Sequence, residues 1–191
     1  MDMTQGVIWK QLLLFALPLM VGNIFQQFYN TVDSIVVGNF VGKEALAAVG
    51  SVGPVINSLI GFFMGLATGA GVVISQAYGA KRSEKVSRTV HTTLVLTFVL
   101  CVVFSVVGIL ITPWMLRLMS TPEDVFAQSA EYLKIYFAGV SGLMIYNMGS
   151  GILRAVGDSK RPLYFLIFSA CLNTVLDLVF VAGMDMGIAG A

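Results

Sequence analysis

The sequence predicts an all-α polytopic membrane protein with five transmembrane helices and the start of a sixth. Three observations carry that reading. Of the 191 residues, 57% are hydrophobic and only 11% charged, where soluble domains carry roughly 25% charged residues, and mean hydropathy is +0.88. Five stretches reach the ~20 predominantly apolar residues that cross a hydrocarbon core. Lysines and arginines gather in alternate connections, the asymmetry that orients membrane helices. A net charge of +1 supplies no basic field for nucleic acid and no acidic tail. Cys101 and Cys171 each lie in an apolar run without metal-site spacing, so they read as packing residues rather than disulfide or zinc ligands.

The first helix is expected at about 8–42. It opens near Trp9 and Lys10, and its apolar run exceeds the ~7–15 residues of a secretory signal core, so it reads as a retained helix. Pro18 removes a backbone hydrogen bond within it and predicts a kink, either a hinge or a static bend. The second helix is expected at 52–80, inside a charge-free run over 45–80, with Pro54 in its first turn. Its Asn57, Ser58, Gly61, Gly65, Thr68, Ser75, Gln76 and Gly79 fall within about 100° of arc. Gly61, Gly65 and Gly69 repeat at the four-residue spacing that lets another helix approach closely. The third helix is expected at 86–116, with the single histidine, His91, near its start.

The fourth, 127–155, follows STPEDVF. There Thr121 is placed to cap, Pro122 fits the first turn, and Glu123 and Asp124 complement the helix dipole. Trp114, Tyr132 and Tyr136 suit an outer aromatic belt. The fifth helix, 160–184, contains Asp177, and a sixth begins near 187 in GMDMGIAGA and is cut short. With the N-terminus in the cytoplasm, eight of the eleven basic residues lie inside and three (Lys43, Arg117, Lys134) outside. That split orients the chain as a multi-pass protein of a cell membrane, N-terminus cytoplasmic.

The polar residues inside these helices are the candidates for function. Asp33 follows 22 residues, 11–32, without a charge. Asn23, Gln26, Gln27, Asn30, Asp33 and Ser34 project within an arc of roughly 120°. Such a stripe must face protein or a water-filled cavity. In helix five, Ser169, Asn173 and Asp177 share a face at successive i,i+4 steps, and helix four offers Tyr136, Asn147 and Ser150 on another. Counting 1.5 Å per residue, Asp33 lies about 15 Å from Lys43 and Asp177 about 12 Å from Asp185. The two carboxylates are thus expected at similar depth in the outer half of the bilayer. An intramembrane aspartate costs roughly 2.5–3.5 kcal/mol on insertion scales. A pair of them is suited to binding and releasing a cation, a proton included, and titrates as a unit. The bland alternative is that each aspartate pins helices together through hydrogen bonds.

Three segments then point to a family. Pro18 followed by QQFYNTVDSIVVGNFVGKEALAA, GLATGAGVVISQAYGA ending helix two, and RAVGDSKRP between helices four and five together resemble the N-terminal half of a multidrug and toxic compound extrusion (MATE) transporter. The resemblance runs the length of the chain and makes residues 1–191 most of one N-terminal transmembrane lobe. It implies twelve helices in two six-helix lobes, alternating access, and export of small organic cations driven by protons or sodium. The remaining partners would be the lipid bilayer and the absent C-terminal lobe, with no organic cofactor. Carried over by residue, Asp33, Asn173 and Asp177 match polar positions of the family's N-lobe cavity associated with cation coupling. Gln26, Asn30 and Asn147 are cavity-lining neighbours. Pro18 matches a proline whose bending has been proposed to accompany protonation. Sodium also favours carboxylate and amide oxygens, so Asp33, Asp177 and Asn173 suit either ion.

Three other readings are weighed against this one. A flippase of lipid-linked saccharides, of related fold, needs cationic residues inside the membrane, and here the interior charges are acidic. An intramembrane aspartyl hydrolase would use two membrane aspartates as a dyad, but Asp33 and Asp177 lie in unrelated local contexts and Asp158 lies in a charged loop. The third is a non-transporting fragment that acts as a scaffold. The expected activity is therefore transport, not enzymatic catalysis.

Overall fold

A computed structural model describes residues 7–36, 38–39 and 42–184. Five helices follow one another: α1 (Ile8–Val36), α2 (Lys43–Gly79), α3 (Ser83–Leu118), α4 (Glu123–Ala155) and α5 (Lys160–Asp177). A π-helical segment, Leu178–Gly183, continues α5. There is no strand among the described residues. Helices suit a chain in hydrocarbon because each satisfies its own backbone hydrogen bonds.

The helices differ from expectation mainly at their starts. α2 begins at Lys43, behind Gly42 with φ 111°, a left-handed backbone that glycine adopts without steric cost. Pro54 is therefore interior to α2 rather than in its first turn. α1 ends its α-helical run at Val36, so Asp33 lies in its last turn and its depth is not measured from Lys43. α4 begins at Glu123 with Pro122 as the residue before it and no side-chain cap. Thr121 Oγ1 is buried without a hydrogen-bond partner, while Asp124 accepts from the Val125 N–H at 3.0 Å. The expected start of a sixth helix near 187 lies outside the described residues.

Three helices end in the same way. At α2, Lys81 (φ 55°) takes the left-handed position; the Arg82 N–H reaches Ala77 O and the Lys81 N–H reaches Tyr78 O. Ser120 (φ 54°) and Gly157 (φ 86°) close α3 and α4 with the same pair of bonds. This is the Schellman closure, which satisfies the last carbonyls of a helix. Glycine fills the left-handed position only once. A lysine or serine there costs about 1 kcal/mol. Asp158 both ends α4 and starts α5, since its Oδ1 accepts from the N–H groups of Lys160 and Arg161 at 3.1 Å each.

Two layers result. α4 packs against α2 and α3, and α1 packs against α5 and its π continuation, with α5 meeting α4. Among the described residues α1 and α2, though consecutive, scarcely touch. The three-helix layer holds two core clusters. One is Val52, Leu116, Leu133 and Phe137, and the other is Phe63, Cys101, Val140 and Met144. α3 leaves its Phe98 and Leu110 71% and 73% exposed, an apolar surface for hydrocarbon or another helix to cover. By length and composition α1, α2, α3 and α5 with its continuation each cross a membrane. α4 is long enough at 33 residues but less apolar, and it has the longest run of buried positions because two helices cover it.

Glycine sets these distances, though not where the sequence pattern places it. Gly61, Gly65 and Gly69 have nothing within 4 Å of an added Cβ. The close approach is one face away, where a Cβ on Gly151 would sit 3.1 Å from Ala67 O and one on Gly71 would sit 3.6 Å from Gly151 O. On α3, a Cβ at Gly108 would overlap the ring of Phe137. Gly108→Ala is therefore expected to destabilise the fold by about 1–3 kcal/mol through overpacking, with Phe137→Leu in the same chain restoring part of the loss. Gly65→Ala should be neutral or stabilising by up to ~1 kcal/mol. Thermal unfolding of the four proteins in detergent reads both.

Candidate functional site

The polar face of α5 goes inward turn by turn. Ser169 is exposed, Asn173 half-buried, and Asp177 is 2% exposed. Leu163 and Leu166, early in α5, lie 3.6 and 3.4 Å from the Cβ position of Gly22 on α1. The missing side chain at Gly22 thus lets α1 lie along α5. Tyr146 on α4 donates its hydroxyl to Pro162 O at 3.4 Å and ties the start of α5 to the other layer.

Asp177 is the last residue in α geometry. Beyond it the backbone bonds lengthen to the π pattern, with the Met184 N–H donating to Val179 O at 2.8 Å. π segments inside helices are frequent at functional positions. One turn earlier, Asn173 Oδ1 is buried with no hydrogen-bond partner, while Thr174 spends its hydroxyl on Ala170 O. A buried amide oxygen left without a donor costs roughly 1–3 kcal/mol. Asp177 and Asn173 therefore place a carboxylate and an amide oxygen on one helix face. These are hard oxygen donors, the chemistry that a proton or sodium ion takes.

The other expected site residues are placed as follows. Asp33 is on α1, the helix packed along α5 and the π segment, so the two aspartate-bearing helices are neighbours; its side chain lies outside the described residues. Gln26 and Asn30 are exposed on the chain surface, as are Asn23 and Gln27. Pro18 is half-buried inside α1. Asn147 is half-buried on α4 and donates its amide N–H to Leu143 O at 2.8 Å, within its own helix. Tyr136 packs against the second core cluster and Ser150 is buried on α4. His91 is exposed, with Nδ1 2.8 Å from Ser87 O.

Sequence reasoning missed two features. The π segment leaves no mark in the apolar pattern of LVFVAG. The second is a cavity of about 920 Å³ along α2 and the end of α4, closed on one side by Phe15 of α1 and lined by Lys81, Arg82 and Arg154 among others. Its signal was present, since AKRSEKVSR and RAVGDSKR fall on one side of the membrane, but the sequence does not say which of those cations converge.

Long apolar helices enclosing a carboxylate define a multi-pass membrane protein with an ionisable group held between its spans. The chain belongs to the MatE family, whose model matches residues 18–179. It is 40% identical over 188 residues to the probable multidrug resistance protein YoeA of Bacillus subtilis, covering 96% of this chain and 41% of that protein. It is 37% identical over 190 residues to YpnP, a probable multidrug resistance protein of the same organism, covering 100% and 43%. A crystal structure of MATE in the bent conformation superposes with a TM-score of 0.89 at 30% identity, covering 97% of this chain and 41% of that one. The chain thus spans about two-fifths of the curated relatives it matches.

If Asn173 Oδ1 has no partner to lose, Asn173→Leu should hold or raise the thermal midpoint of the chain. A loss larger than about 1 kcal/mol would mean that the amide holds the fold together.

Proposed function

We propose that the chain acts as the N-terminal lobe of a cation-coupled antiporter that exports amphipathic organic cations by alternating access. The observation that carries this reading is Asp177, buried one turn from an amide oxygen without a partner, in a chain similar to multidrug resistance proteins. A chain that only had to span the bilayer has no use for such a group, given its insertion cost of roughly 2.5–3.5 kcal/mol. Relatives more than twice as long supply the argument for a second lobe, which would complete the pathway.

In this mechanism Asp33 and Asp177 take up the coupling cation, a proton or sodium, on the outer side and release it inward. Asn173, with Gln26, Asn30 and Asn147 along the pathway that the two lobes would enclose, supplies hydrogen bonds. The carboxylates are ionised while an organic cation is held and neutralised as it leaves. Pro18 is the hinge of α1, which is free to bend because it rests on α5 and scarcely on α2. The lobe lies in the cell membrane with its N-terminus cytoplasmic. A hydrolytic role fits poorly, since Asp158 is engaged in joining α4 to α5.

The test is efflux by the full-length transporter that contains this lobe, measured in vesicles with an imposed proton or sodium gradient. Asp33→Asn and Asp177→Asn should each lower gradient-driven export at least tenfold while drug binding persists. The gradient that supports the wild type identifies the ion. If both variants export at the wild-type rate, neither aspartate couples transport.

A further inference from the structure

We propose that the cavity along α2 and the end of α4, bounded by Phe15 of α1, is a binding site for an anionic phospholipid of the cytoplasmic leaflet. Its mouth brings together cations from two connections distant in sequence, Lys81 and Arg82 after α2 and Arg154 at the end of α4. Among the described residues no carboxylate lines it and the one ion pair, Arg161 with Asp158 at 3.2 Å, lies outside it, so none of them neutralises these three cations. Arg154 commits Nε to Ser150 O at 3.1 Å, which leaves its terminal amino groups for a ligand.

The ends of α2 and α4 bring about −0.5 charge each to the same place. Against three cations that leaves a net charge of about +2 at the mouth. Diffuse compensation of the helix dipoles therefore does not account for all three. An anionic headgroup does, and a phosphodiester offers the oxygens that Arg and Lys bind.

The remainder of the cavity is suited to an acyl chain rather than to a free anion. It follows α2 inward from Arg82 to Met64, a length of roughly 25 Å at 1.5 Å per residue. Phe15, Met64 and Val72 line the deeper part, and the two hydroxyls there are already used, Thr68 on Met64 O and Ser75 on Val72 O. The mouth lies where α2 ends and α3 begins, at the level of headgroups for two membrane-crossing helices. Cations at the surface with an apolar trough running inward match an amphiphile from end to end.

Lys81 makes the test robust, because it occupies the left-handed position that suits glycine. Lys81→Gly removes the charge and relieves the backbone, so the variant folds. The purified 191-residue chain in a neutral detergent is titrated with phosphatidylglycerol, phosphatidylcholine or inorganic phosphate. Bound lipid is counted by native mass spectrometry. Phosphatidylglycerol should bind at least tenfold tighter than phosphatidylcholine, and Lys81→Gly and Arg154→Gln should each cut that preference threefold or more. Lys160→Gln, the same charge removed from an exposed position outside the cavity, should leave it unchanged. Equal affinity for the two lipids overturns the proposal. So does an equal loss in Lys160→Gln, which would make the attraction diffuse, or displacement of the lipid by millimolar inorganic phosphate, which would make a free anion the ligand.

Discussion

The contact of backbone on backbone where α2 crosses α4 governs the arrangement of the lobe. With 3.1 Å between the Cβ position of Gly151 and Ala67 O, no larger residue fits without moving a helix. Inside a bilayer, apolar surface gains nothing by leaving lipid for protein, so helices associate through close packing and small residues. That crossing holds α4 against α2, and Phe137 lying over Gly108 holds α3 against α4. α4 can then be less apolar than α2 and α3, because protein covers it on two sides. The same small residues, Ala67, Gly71 and Gly151, form a wall of the cavity.

Two kinds of exposed surface divide the lobe. α3 presents valine, leucine and phenylalanine, as lipid requires. α2 instead exposes Asn57, Ser58, Thr68 and Gln76, and α1 exposes Asn23, Gln26, Gln27 and Asn30. Neither set suits hydrocarbon. The hydroxyls among them lower the cost by donating to their own helix, as Ser58 does to Pro54 O and Thr68 to Met64 O. An amide carries more polar atoms than one such bond satisfies, so protein or water must meet Asn23, Gln26, Gln27, Asn57 and Gln76.

Membrane helices are legible in sequence because length and apolarity are local properties. The runs ending at Gly79 and Leu118 stand where the charges of AKRSEKVSR and Arg117 place them. The face shared by Ser169, Asn173 and Asp177 was equally legible, since helical periodicity determines it; its increasing depth was not, because burial depends on how α1 and α4 meet α5. The start of α2 was misread for a related reason. Proline favours a first turn but is tolerated inside a membrane helix, and the glycine that opens α2 is Gly42. The pattern at Gly61, Gly65 and Gly69 predicts a close helix approach that no described residue makes there; the crossing uses the adjacent face, a choice made by the partner helix. Family resemblance added the role proposed for the aspartates, which no spacing supplies.

The closures after α2, α3 and α4 have a mechanical consequence. Each turn is a short ring of hydrogen bonds with no spare residues, and Asp158 fastens the last of them to the helix that follows. From Lys43 onward the chain is a series of rods joined by stiff corners, so a push on one rod is handed to the next with little play. α1 leans on α5 and its π continuation. The carboxylate of α5 therefore lies between two kinds of neighbour, the stiff series behind it and the single rod of α1 beside it.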